Sequence, residues 1–72
     1  MNDLYIIEGT VTNLVGAKKT YRSLIIGDTD KARAEMKRQE VMYARHGFTD
    51  IHITLFRVCS MMKIGQTVHK GG

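Results

Sequence analysis

In residues 4–15, LYIIEGTVTNLV, apolar and polar positions alternate. One side carries Tyr5, Ile7, Gly9, Val11 and Val15; the other carries Leu4, Ile6, Glu8, Thr10 and Thr12. β-branched and aromatic residues dominate, so this is a strand, and the more apolar Tyr5 side is expected to face a core. Gly9 in its middle predicts a bulge or the close approach of another element. GAKK, residues 16–19, is read as a turn around Gly16, and TYRSLIIG, residues 20–27, as the returning strand. DIHITLFRV, residues 50–58, sets Ile51, Ile53 and Leu55 against His52 and Thr54, and then Phe56 and Val58 make its second side apolar too. Such a strand is central in its sheet or covered by a partner. MKIGQTVHK, residues 62–70, is a weaker fourth strand interrupted by Gly65, and the final KGG is expected to fray.

Between the second and third strands, a helix is predicted from Asp30 to His46. Asp28 or Thr29 can accept from the free N–H groups at its start, and Asp30 suits the positive end of its dipole. Gly47 can turn left-handed just past the last turn and let Phe48 fold back onto Tyr43. Arg45 and His46 complement the negative end. At 100° per residue the helix resolves into two seams. Ala32, Met36, Gln39, Tyr43 and His46, flanked by Met42, have the bulk to pack on a sheet. Lys31, Ala34, Arg38, Val41 and Arg45 form the opposite seam, where small or branched apolar residues alternate with cations. That seam is either a solvated face or a contact surface whose arginines pair with carboxylates or phosphates.

The predicted fold class is α+β: one domain over residues 1–72, ββαββ, with an antiparallel sheet in the order 2-1-3-4 and the helix across one face. Nothing in the chain covers the other face, which Leu4, Ile6, Phe56 and Val58 make partly apolar.

Chain length sharpens this. A core in a domain below about 70–80 residues rarely supplies more than about 3–5 kcal/mol, so such domains usually carry a staple. Cys59 is the one cysteine, which excludes an internal disulfide. Cys59, His46, His52 and His69 lack the paired short spacings of a structural zinc site. Self-association or docking remains, and a homodimer through the open sheet face or an edge strand is expected. Eleven Lys and Arg against seven Asp and Glu give +4 and a pI near 9.5. This moderate surplus permits attraction to an acidic protein surface or to nucleic acid and demands neither, because the acids are spread through the chain. Lys18, Lys19 and Arg22 form a second basic cluster in the first hairpin. The acidic start MNDLYIIEGTVTN does not read as a secretory signal, no apolar run reaches the roughly 20 residues of a membrane span, and the lone thiol suits a reducing compartment. A soluble protein of the cytoplasm is the expectation.

No residue set carries a catalytic signature, and neither an enzyme nor a cofactor is expected. Alternation puts His52 and Cys59 on opposite sides of the third strand, and Cys59 reads as a buried structural thiol. Glu8 and Glu35 lack an acid partner for proton transfer. An anion at the helix start would meet Asp28 and Asp30. The methionines read mostly as core filler, with Met61 and Met62 as adaptable contacts at a turn. Three Tyr and two Phe leave Tyr21 and Phe56 as a thin stacking platform for single-stranded nucleic acid.

Residues 20–58, from TYRSLIIGDTDKARAE through ARHGFTDIHITLFRV, carry a resemblance. The hairpin strand, the capped helix ending in HGF and the alternating strand together resemble small phage-encoded accessory proteins, such as anti-CRISPR proteins and other host-takeover factors. The resemblance is architectural and transfers no functional residue. It implies a compact protein in the host cytoplasm that inhibits or modulates a larger nucleoprotein or defence complex by occupying its surface. The alternative is a small basic module that binds the phosphates of nucleic acid. Lys31, Ala34, Arg38, Val41, Arg45, Lys18, Lys19 and Arg22 are the candidate contact residues under either reading.

Overall fold

A computed structural model describes residues 3–69; the KGG end lies outside the described residues. Strands β1 (Asp3–Thr12) and β2 (Lys18–Gly27) form a hairpin, helix α1 spans Thr29–Arg45, and β3 (Thr49–Arg57) and β4 (Met62–His69) form a second hairpin. All neighbours are antiparallel, in the order β2-β1-β3-β4, with the helix on one face and lying chiefly over β3. The α+β fold and the strand order expected from the sequence are those observed.

The expected inward sides meet. Tyr5, Ile7 and Val11 of β1 pack with Ile51, Ile53 and Leu55 of β3 beneath Ala32, Met36 and Tyr43 of the helix. Gly9 is where the helix comes closest to β1: a Cβ there would lie 3.4 Å from Tyr43 Cε2. The buried Gln39 amide donates to Ser23 Oγ at 3.2 Å, which gives this buried side chain a partner. At the helix start the Asp28 carboxylate accepts from Lys31 N–H at 2.7 Å. At its end Gly47, with φ +82°, donates to the Ala44 carbonyl and Phe48 N–H to the Tyr43 carbonyl, each at 3.1 Å. The Phe48 ring stacks on Tyr43 with centroids 6.1 Å apart, completing the Schellman ending.

Three local expectations are corrected. β1 stops at Thr12, and Val15, placed on the inward side, is 87% exposed. Asn13 causes this: its side-chain oxygen accepts from Val15 and Ala17 N–H, at 3.1 and 3.0 Å, so the chain turns over 13–17 rather than 16–19. His46, expected on the inward seam, is the exposed C-cap, its ring tilted against Phe48. Cys59, expected to be buried, is exposed, because β3 ends at Arg57 and a turn over 58–61 lifts it clear. Of the two readings of Gly9, the close approach of another element is the one observed, and β1 carries no bulge there. The bulges lie instead in β3 at Asp50, which takes φ +50°, and in β4 at Ile64, between Lys63 and Gly65.

Candidate functional site

Lys31, Ala34, Arg38, Val41 and Arg45 all lie exposed along the outer side of α1. Ala34, Arg38, Val41 and Arg45, with Lys37 and His46, line a shallow groove of about 550 Å³. Val41, which lines it, is 40% exposed. The cations of this side differ in availability. Arg38 is paired with Glu35 and Lys37 with Glu40 at 2.9 Å. The Lys37 ammonium holds the Glu40 carboxyl below its ordinary range, and the Glu35 carboxylate raises the Arg38 guanidinium further. Arg45 has no carboxylate within reach among the described residues. It stands in the last helical turn, where a cation is favoured.

The basic cluster of the first hairpin does not act as one patch. Cross-strand register puts Lys19, opposite Val11, on the helix side of the sheet, while Lys18 and Arg22, opposite Thr12 and Glu8, point to the open face. Arg22 Nε donates to Glu8 Oε2 at 2.7 Å, and both side chains keep contact with solvent. A pair this exposed is worth roughly 0–1 kcal/mol and leaves Arg22 able to change partners.

The open face carries a contiguous apolar patch. Register pairs Leu4 with Ile26, and Ile6 with both Leu24 and Phe56, so these five side chains are contiguous. Leu24 is 69% and Ile26 65% exposed. Sequence alternation points to Leu4, Ile6, Phe56 and Val58 for this face, of which Val58 falls in the turn after β3, but does not single out Leu24 and Ile26. Their spacing of two in LIIG, read against β1 across a five-residue turn, would have found them.

A third feature escaped sequence reasoning entirely. Between β2 and α1 lies a groove of about 400 Å³, bordered by Arg22 and Arg38 and floored by Tyr21, Met42, Tyr43 and Phe48. Tyr21, 44% exposed, stacks on Tyr43 with centroids 5.9 Å apart. Burial pushes the Tyr43 phenol above its ordinary pKa, and the neighbouring Tyr21 adds to the shift. Tyr21 and Phe56 lie on opposite faces of the sheet and do not form one platform.

The thiol and imidazole are not brought together. Cys59 Sγ lies 4.0 Å from Asp3 Oδ2, while His52 sits between Thr10 and Val68 at the far end of β3. Among the described residues, no three His, Cys, Asp or Glu side chains converge as a metal site would require, and no helix is long and apolar enough to cross a membrane. Searches of protein-family models, of curated proteins and of solved structures found no match to this chain.

Proposed function

We propose that this protein is a non-enzymatic, protein-binding inhibitor or modulator that occupies a surface on a larger complex, in the manner of small phage accessory proteins, and that it works as a homodimer. The observation that carries the reading is the uncovered sheet face, with Leu24 and Ile26 more than half exposed beside Leu4, Ile6 and Phe56. Patches of this kind on small domains mark interaction sites.

A second copy is the occupant that fits this face. Glu8 and Arg22 stand side by side at the patch border, so a two-fold axis can bring each arginine to the partner's glutamate without leaving a like charge opposed. A standard interface of about 800 Å² per partner would cover about a sixth of the 4760 Å² surface. Wild-type protein is expected to sediment as a dimer at micromolar concentration, and Leu24→Lys as a folded monomer with an unchanged circular dichroism spectrum. A wild-type monomer at that concentration removes the dimer.

With the sheet face closed, the outer side of α1 is left to meet the larger partner: Val41 and Ala34 provide apolar contact, and Arg45 provides an uncompensated cation. The nucleic-acid alternative has less support, because the cations are divided between two sheet faces and a helix, and four of them already pair with carboxylates. The test is a pull-down from nuclease-treated bacterial lysate. Wild-type protein is expected to retain a protein that Val41→Glu and Arg45→Glu lose. Recovery of nucleic acid alone from untreated lysate, with no protein in either case, would favour the alternative.

A further inference from the structure

β2 is an edge strand of the sheet. Asn13 N–H donates to the Ala17 carbonyl at 2.9 Å, in the same register as every pair of the β1–β2 ladder. Hydrogen-bonded pairs alternate along an antiparallel ladder. The odd-numbered residues of β2 therefore bond to β1, and Lys18, Thr20, Arg22, Leu24 and Ile26 turn their N–H and C=O groups outward. Lys31 agrees with this phase, since its ammonium donates to the Ile26 carbonyl at 3.1 Å from outside the sheet. Lys31 thereby caps one end of the edge. From Lys18 to Leu24 the outward backbone groups have no partner among the described residues.

The two edges of the sheet differ. β4 is broken by the bulge at Ile64, which shortens its flat run. β2 pairs with β1 over ten residues without a shift in register. A long, flat edge is a template for another strand, and lysine or arginine along it is the usual guard against pairing with a like copy. The same cations attract an acidic strand. Beside this edge, on the helix side, lies the aromatic groove between β2 and α1.

We propose that the β2 edge and the adjoining groove bind an extended protein segment in which apolar and acidic residues alternate. The segment adds a fifth strand along Lys18–Leu24. Side chains in a strand alternate between faces. Those on the helix side enter the groove over Tyr21, Met42 and Tyr43. Those on the other side come beside Lys18 and Arg22, where carboxylates are favoured. In the free protomer Arg22 is released from Glu8 at little cost, because that pair is exposed to solvent. Backbone bonding at the edge supplies affinity, and the alternating side chains supply selectivity. A second copy of β2 is the wrong occupant: pairing centred on Arg22 opposes two arginines, and every nearby register brings basic side chains together. The inference rests on reading the chain as a protein-binding module, but not on the dimer.

The probe is a fluorescein-labelled synthetic peptide of about nine residues alternating glutamate with valine, with phenylalanine at the central apolar position, followed by fluorescence anisotropy at low salt. Saturable binding is expected. Methylation of the backbone nitrogens that face β2 is expected to weaken it at least tenfold, and replacement of every glutamate by lysine to abolish it. Tyr21→Ala is expected to weaken binding about tenfold by removing one wall of the groove. Thr20→Pro deletes an outward N–H at an edge position where proline is tolerated, and is expected to weaken binding similarly without unfolding the chain. The methylated peptide tests the edge without altering the protein, so a variant that misfolds does not decide the matter. Absence of saturable binding, equal binding of the methylated or the lysine peptide, or binding of oligothymidylate in place of the peptide overturns the proposal. Peptide failure with an intact wild-type dimer and lysate partner removes this inference alone.

Discussion

Replacing Ile53 by alanine is expected to unfold the domain or bring it to the margin of folding. Ile53 is completely buried at the centre of β3, opposite Gly9 and Thr67 in the neighbouring strands. Truncating a buried isoleucine to alanine costs about 2–5 kcal/mol, the lost transfer energy plus the cavity left behind. A core of this size supplies about 3–5 kcal/mol in total. In a domain this small each kcal/mol moves the melting temperature by roughly 4–8 °C, so a fall of 10 °C or more is expected in a circular dichroism melt. Leu24→Ala, on the open face, is the matched control and is expected to stay within about 0.5 kcal/mol of wild type under conditions where the protein is monomeric. If the two variants melted together, Ile53 would not be in the interior and the assignment of sheet faces would fail.

Tyr43→Ala is expected to be as damaging, at about 3–5 kcal/mol, and Tyr43→Phe close to neutral. The ring of Tyr43 joins several parts of the structure. It lies flush on Gly9, stacks on Tyr21 and Phe48, and forms a wall of the groove beside β2. Its hydroxyl has no hydrogen-bond partner among the described residues, so removing the oxygen leaves nothing unpaired. Urea titration separates the two variants. A pH series adds a second readout. The phenol is raised in the folded state, chiefly by burial, so the unfolded chain ionises first as pH climbs. Stability from this group is fully present below the ordinary tyrosine pKa of 10.0 and is lost as pH rises toward the folded value. Wild type is therefore expected to weaken more steeply in alkali than Tyr43→Phe, and identical alkaline slopes would place the phenol in water.

Short-range forces and periodicity made much of this fold legible in the chain. Strand alternation placed Tyr5, Ile7, Val11, Ile51, Ile53 and Leu55 inside. A period of 3.6 separated Ala32, Met36, Gln39 and Tyr43 from Lys31, Ala34, Arg38, Val41 and Arg45. Asp28, Gly47 and Phe48 marked the helix ends, because a cap is made by residues within a turn of one another. Competing local chemistry and long-range contacts set the rest. Leu14 and Val15 have strand propensity, but the Asn13 side chain offered their backbone a turn. Cys59 is exposed because the chain had to reverse before β4. The apolar patch, the aromatic groove and the unpaired edge of β2 arise from register between strands and from where the helix lies across them. Those relations join residues far apart in the chain, and local preference carries no information about them.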